Sequence, residues 1–140
     1  MQTGRLAKSF ALGALAIGLV TWVALEGGDV GELRTRSPEG GWRTTRVWWA
    51  EHDGALWVEA ATQERPWLVD LQVDSRVELD RGASTTAWRA IPVPGQEAHD
   101  RVRALLREKY GWADAWIGLV QDTSRSIPIR LDRTPELEQR

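Results

Sequence analysis

The N-terminal part of the chain carries its longest hydrophobic stretch. Residues 10–25 are apolar except for Thr21, and the basic residues Arg5 and Lys8 precede them. Such a run is typical of a helix that crosses a membrane. At 1.5 Å per residue it extends over about 24 Å, which is less than the roughly 30 Å hydrocarbon core of a bilayer. We therefore interpret residues 1–28 as an uncleaved membrane anchor that requires some local thinning of the bilayer.

Two other interpretations of this segment stay open. A cleaved signal peptide has a similar composition, although no small-x-small cleavage motif follows the run. The second interpretation is an apolar helix that lies along the folded domain. Gly13 and Gly18 would allow close approach to protein as well as to another membrane helix. The basic residues do not decide the orientation, because they both precede and follow the run.

Short segments that alternate between apolar and polar residues follow the N-terminal run. Many are rich in β-branched and aromatic residues, which favour strands, and Asp53-Gly54 is a strong hairpin turn. Pro128 lacks an N–H group, so its strand is expected at an edge of the sheet. The predicted strands are residues 31–36, 42–49, 55–60, 75–79, 85–91 and 126–131.

Helical signals separate and follow these strands. Pro66 is expected in the first turn of a short helix, residues 66–71. Residues 99–110 place apolar side chains at helical spacing, so one face is expected to cap the sheet, and Gly111 ends this helix. A shorter apolar piece, residues 113–120, comes next, and residues 134–140 are interpreted as a charged tail.

Composition narrows the class of protein. A length of 140 residues without internal repeats predicts one domain, here residues 29–133. The net charge of −2 argues against a nucleic-acid partner. No cysteine is present and the two histidines lie apart from other metal-type ligands, so no metal site is expected. Nine tryptophans are more than a core of this size needs, which leaves some for a ligand pocket.

The order of these elements, together with Arg43-Thr44-Thr45, Pro66-Trp67 and Ser75-Arg76-Val77-Glu78, resembles the split β-barrel superfamily of flavin-binding proteins. Within this superfamily, which includes pyridoxamine phosphate oxidase, the chain is most similar to the deazaflavin-dependent nitroreductase and quinone reductase family. Residues 108–112 and 122–131 resemble the closing part of that family. The resemblance implies a mainly β fold with α: a split barrel of about six antiparallel strands, two or three helices and the N-terminal apolar helix.

The resemblance also implies an activity. Members of the family transfer a hydride from a reduced deazaflavin of the F420 type to a quinone- or nitro-type acceptor, and FMN is the alternative cofactor in the superfamily. A membrane anchor would place such an enzyme beside a lipophilic acceptor. The resemblance further implies a cytoplasmic domain, where the reduced cofactor is found, and a possible homodimer.

Site residues follow from the same resemblance. The cofactor contacts match two segments, the second strand and the connector before the short helix, and no catalytic residue is assigned. Simpler roles are a helix cap for Thr62, core packing for the tryptophans and an exposed ion pair with Asp122 for Arg125. The predicted cofactor-binding residues are Arg43, Thr44, Thr45, Thr62, Arg65 and Trp67, and the predicted substrate-pocket residues are Trp48, Trp116 and Arg125.

The chain departs from the family pattern in two places. Glu39 lies where the family has a basic, glycine-rich loop, and a carboxylate there would repel a phosphate unless Arg36 and Arg43 compensate. Trp116 and Leu119 lie where the family often presents tyrosines that line the acceptor pocket. A second hypothesis is therefore a non-catalytic split-barrel protein that binds a ligand at a degenerate cofactor site.

Overall fold

The structure is a computed structural model and describes residues 3–134, so the predicted tail at residues 135–140 lies outside the described residues. It contains four helices and six strands in the described range. In chain order these are α1 (Thr3–Glu26), β1 (Val30–Arg36), β2 (Trp42–His52), β3 (Ala55–Ala60), α2 (Pro66–Val73), β4 (Arg76–Asp80), β5 (Thr85–Pro92), α3 (Gln96–Tyr110), α4 (Trp112–Val120) and β6 (Ile127–Arg133).

The six strands close into an antiparallel barrel in the order β1-β2-β3-β6-β5-β4. Alternate side chains point inward, and residues such as Leu33, Leu79 and Ile129 are fully buried in the interior. The turn between β2 and β3 has positive φ at both Asp53 and Gly54, as a tight hairpin requires. The predicted fold class is confirmed, and the strands and helices differ from the predicted ones only at their ends.

β2 changes its partner along its length, and this divides the barrel wall. Residues 42–48 pair with β1, whereas residues 49–52 pair with β3. Along residues 42–48, the edge of β2 that faces away from β1 has no strand partner within the described part of the chain. The barrel is therefore split between β2 and β3, and the backbone at the split is available to a ligand.

Pro128 does not lie at an edge, so that prediction is wrong. β6 pairs with both β3 and β5, and Pro128 lies opposite Glu59. The missing N–H is tolerated because Pro128 is the second residue of its strand and its carbonyl still accepts a hydrogen bond from the Val93 amide at 2.9 Å.

A second core lies outside the barrel, where α3 and α4 cover β2 and β3. The buried face of α3 includes Val102, Leu106 and Tyr110, and these side chains pack with Ala50 and Trp57 from the strands. This packing accounts for the apolar spacing seen in residues 99–110 of the sequence. It also fixes α3 and α4 beside the split.

Tyr110 joins this second core to the start of the barrel. Its hydroxyl donates a hydrogen bond to the Asp29 carbonyl at 2.7 Å and accepts one from the Trp49 amide at 3.0 Å. Its ring stacks on Trp48 with the ring centroids 4.4 Å apart. Burial, with a contribution from the nearby Asp29 carboxylate, raises the pKa of Tyr110 from 10.0 to about 12.

The raised pKa of Tyr110 predicts a specific loss of stability in alkali. The unfolded chain releases the phenolic proton near pH 10, whereas the folded protein retains it until about pH 12. Stability that Tyr110 contributes is thus complete below pH 10 and is lost as the pH rises toward 12. We expect the difference in the free energy of unfolding between the native protein and Tyr110→Phe, measured by denaturant titration, to shrink over this window. A difference that stays constant would contradict the assignment.

α1 does not lie along the barrel. Residues 7–20 are exposed, whereas Thr21 accepts a hydrogen bond from the Trp116 indole and Ala24 is buried. Among the described residues, one helical segment is long and apolar enough to cross a membrane, and it is Ala7–Glu26 of α1. Signal sequences share this length and composition. At 1.5 Å per residue, the 20 residues of Ala7–Glu26 extend over about 30 Å, close to the hydrocarbon thickness of a bilayer.

Candidate functional site

An open groove follows the split in the barrel. Its volume is about 510 Å³, within the range of pockets that hold small molecules and cofactors. One wall is the unpaired stretch of β2, and the opposite wall is formed by the connector after β3 and the start of α2. The ends of α1 and α4 complete the groove.

Arg43 is held in the groove by a buried carboxylate. Its Nε atom donates to the Asp70 carboxylate at 2.8 Å, and the Thr35 hydroxyl donates to the same oxygen at 2.7 Å. Asp70 is buried in α2, whereas 38% of the Arg43 side chain is exposed. The two outer guanidinium nitrogens of Arg43 have no hydrogen-bond partner among the described residues. They are available to bind an anion in the groove.

Arg65 lies across the groove, immediately before α2. Its side chain is exposed and forms no ion pair within residues 3–134, and no side chain caps the helix that begins at Pro66. Three sources therefore contribute positive charge to the groove: the N-terminus of α2, Arg65 and Arg43.

The remaining arginines of the groove are already paired. Arg46 forms an ion pair with Glu26 of α1 at 2.6 Å. Arg103 bonds to Glu59 at 2.7 Å and also to Asp114, and it lies largely buried in the floor. The carboxylates beside them neutralise the charges of Arg46 and Arg103. By contrast, Arg43 uses only its Nε in the ion pair with Asp70, and Arg65 has no ion-pair partner among the described residues.

A carboxylate that lacks an ion-pair partner among the described residues also lines the groove. Asp122 lines it, and the side chain and backbone N–H of Ser124 hydrogen-bond to the carboxylate and lower its pKa. Asp122 is therefore negatively charged at neutral pH. The groove lining therefore carries negative as well as positive charge.

Apolar side chains also line the groove. Trp67 is buried in the barrel core and also lines the groove, and Trp48 lines it from β2. Leu25 of α1 and Ile117 of α4 add aliphatic surface. A planar, mostly apolar ring fits between such walls.

The structure brings six of the nine predicted site residues together. Those that line the groove are Arg43, Thr44, Thr45, Trp48, Arg65 and Trp67.

The other three predicted residues lie outside the lining. Thr62 belongs to the connector, where its carbonyl accepts a hydrogen bond from the Arg65 amide at 3.4 Å. Trp116 packs against the second core, and its indole donates to the Thr21 hydroxyl at 2.9 Å. Arg125 forms an exposed ion pair with Glu64 at 3.3 Å; the partner expected from the sequence was Asp122. Glu39 lies exposed in the turn between β1 and β2, also outside the lining, so its carboxylate does not occupy the groove.

Sequence reasoning missed the residues contributed by distant elements. Leu25 and Glu26 looked like the end of an anchor, and Arg103 and Ile117 looked like ordinary residues of covering helices. The sequence offered one signal for Arg103: it falls on the apolar face of a predicted helix. An arginine buried there needs carboxylate partners from neighbouring elements. No group of three or more metal-binding side chains occurs within residues 3–134.

A six-stranded barrel opened between its second and third strands, with arginines along the opening, defines a split β-barrel protein. A sequence model of the family described as F420H(2)-dependent quinone reductase matches residues 22–134. The chain therefore belongs to this family. A comparison with curated proteins gave no match.

Solved structures share the fold. A conserved hypothetical protein from Mycobacterium tuberculosis superimposes with a TM-score of 0.60 at 22% identity, covering 81% of this chain and 76% of the other. An F420-H2 dependent reductase gives a TM-score of 0.56 at 14% identity, covering 74% and 94%. A pyridoxamine 5'-phosphate oxidase homologue from Listeria innocua gives 0.55 at 13% identity, covering 79% and 87%.

Proposed function

We propose that this protein is a membrane-anchored oxidoreductase that uses a reduced deazaflavin of the F420 type to reduce a quinone- or nitro-type acceptor. Family membership supports the reaction class, and the groove supports the site. The observation that carries the proposal is the pair of incompletely neutralised arginines, Arg43 and Arg65, in the lining of the groove along the split.

The donor groups of the groove fit such a cofactor. A phosphate would bind to the outer nitrogens of Arg43, to Arg65 and to backbone N–H groups on the unpaired edge of β2. The planar ring system would lie against Trp67 and Trp48, where the lining is apolar. FMN has the same phosphate and a similar ring, so it is the alternative ligand of this site.

The reduced deazaflavin supplies a hydride, and the residues of the groove bind and orient the reactants. Reduction of a quinone to a hydroquinone also consumes a proton, and the open groove admits water that can provide it. The Thr45 hydroxyl also lines the groove and would donate a hydrogen bond to an acceptor oxygen on which negative charge develops. No side chain is required to form a covalent intermediate.

The anchor supports a lipophilic acceptor. Leu25 and Glu26, the last residues of α1, line the groove, so a membrane that holds α1 lies close to the site. A quinone dissolved in that membrane would have a short path to the cofactor. The reduced cofactor is supplied in the cytoplasm, and the domain is proposed to face that side.

Ligand titration of the full-length protein in detergent micelles tests the cofactor assignment. Deazaflavin and FMN are titrated separately while tryptophan fluorescence is followed, because Trp48 and Trp67 line the groove and a bound ring would quench them. We expect saturable quenching by the deazaflavin at micromolar concentrations and weaker quenching by FMN. Reduced deazaflavin should then be oxidised when a quinone is added. No response to either cofactor would refute the proposal and favour a non-catalytic ligand-binding protein.

A further inference from the structure

The solvent-facing side of α4 is entirely uncharged. Its one charged residue, Asp114, is buried and bonded to Arg103. Trp112 is 61% exposed and Leu119 is 81% exposed, and both lie on the side of the helix that faces away from the barrel. A helix exposed to water normally carries polar residues on its outer face, as α3 does with Glu97 and Arg101. The outer face of α4 is therefore suited to an apolar environment.

α4 is attached to α1 at the level where α1 leaves the protein. The Trp116 indole donates to the Thr21 hydroxyl at 2.9 Å, and residues 7–20, which precede Thr21, are exposed. The candidate span Ala7–Glu26 extends over about 30 Å at 1.5 Å per residue, the hydrocarbon thickness of a bilayer, so Thr21 lies near the end of the span that adjoins the folded domain. If α1 spans the membrane, Thr21 and α4 lie together at the membrane surface.

We infer that the outer face of α4 is a membrane-docking surface that rests in the interface of the same bilayer that holds α1. This surface consists of Trp112, Ala115, Leu119 and Val120. Tryptophan is enriched at membrane interfaces because its ring is apolar and its N–H is polar. The inference rests on the membrane location in the proposed function and adds a second contact with the bilayer.

Docking through α4 determines where the acceptor enters. Ile117 of α4 and Gln121, which follows that helix, line the groove, and Leu25 and Glu26 line it from α1. With both helices at the bilayer, the groove opens beside the lipid between them. A quinone with an isoprenoid tail then enters from the membrane while its tail stays in lipid.

Spin labelling tests this surface directly, because the chain contains no cysteine. Leu119→Cys, Leu12→Cys and Val73→Cys are labelled in the full-length protein and reconstituted into vesicles of phosphatidylcholine and phosphatidylglycerol. Val73 is 61% exposed at the end of α2 and serves as the water-facing control. We expect labels at positions 119 and 12 to be relaxed by oxygen, which dissolves in lipid, and the label at 73 to be relaxed by a water-soluble nickel chelate.

Each other outcome overturns the inference for a different reason. A label at 119 that responds to nickel while the label at 12 responds to oxygen means that α1 is anchored but α4 faces water. A label at 119 shielded from both reagents means that another protein copy covers α4. A label at 12 that responds to nickel removes the membrane location itself. None of these outcomes depends on cofactor binding, which the fluorescence titration measures separately.

Docking through α4 is expected to affect the reduction of quinones with an isoprenoid tail and not that of water-soluble quinones. Trp112→Ser combined with Leu119→Ser removes apolar surface that would be buried in lipid, and we expect KM for a tailed quinone in the vesicles to rise about tenfold. KM and kcat for a short, water-soluble quinone should not change, because neither residue lines the groove. Equal effects on both acceptors would contradict entry from the bilayer.

Discussion

Arg103→Ala is expected to lower the free energy of unfolding by about 3–5 kcal/mol, because it removes the partner of two buried carboxylates. Arg103 extends from α3 and bonds to Glu59 of β3 and Asp114 of α4, and all three side chains are largely buried. Glu59 would retain a hydrogen bond from the Ser126 hydroxyl at 2.9 Å, which does not neutralise its charge. Arg107 lies 3.8 Å from Asp114 but is mostly exposed, so it offsets only part of the loss.

Arg101→Ala is the matched control for this stability measurement. Arg101 lies on the same helix and pairs with Glu97 at 2.9 Å on the exposed face. Such i,i+4 pairs contribute about 0.3–0.5 kcal/mol. Both variants are compared by urea unfolding in the same detergent. Asp114→Asn added to Arg103→Ala should recover part of the stability, since it removes one uncompensated charge. Equal stabilities for the Arg103 and Arg101 variants would show that the buried network does not hold α3 and α4 on the barrel.

Arg43→Ala is expected to weaken deazaflavin binding by about 10- to 100-fold. A hydrogen bond between charged groups contributes about 1.5–3 kcal/mol, and each 1.4 kcal/mol is a factor of ten in affinity. The Nε bond to Asp70 aims the outer nitrogens of Arg43 toward the groove, so the geometry is set before a ligand arrives. Arg43→Lys should restore only part of the affinity, because an ammonium cannot bond to Asp70 and a phosphate with the same planar geometry.

Arg34→Ala separates this effect from a general loss of charge. Arg34 is 39% exposed, close to the 38% of Arg43, and it pairs with Glu78 at 2.6 Å. It lies on β1 and does not line the groove. We expect its removal to leave the dissociation constant unchanged in the same fluorescence titration. Similar losses for both variants would indicate that the cofactor senses overall charge and that Arg43 does not contact it. Circular dichroism of each variant checks that the barrel is intact.

Local features of the sequence predicted most of the fold. The six strands are short and carry their own alternation of apolar and polar residues, Asp53-Gly54 has the chemistry of a tight turn, and Pro66 and Gly111 mark helix boundaries. Each of these signals acts within a few residues, so it can be recognised without the rest of the chain. The split barrel itself came from the resemblance of these elements and of short motifs such as Pro66-Trp67 to a known superfamily.

The candidate site was predictable where it lies on one strand and less so elsewhere. Arg43, Thr44 and Thr45 lie together because they are consecutive in β2. Arg125 lies in a loop, and its pairing with Glu64 depends on how two connectors approach each other. The assignment of Pro128 to an edge failed for a related reason: a closed barrel has no edge strand along β6, and barrel closure is not encoded within that strand.

The sequence by itself determined the elements, their order and the anchor-like helix, because these depend on interactions between residues that are near one another in the chain. Only the tertiary structure decided that β2 leaves β1 for β3 at Trp49, and that this opens a groove along residues 42–48. It also decided that Asp70 orients Arg43 and that α1 and α4 border the same groove. These arrangements join residues tens of positions apart, and they form only when the closed barrel and its covering helices pack together.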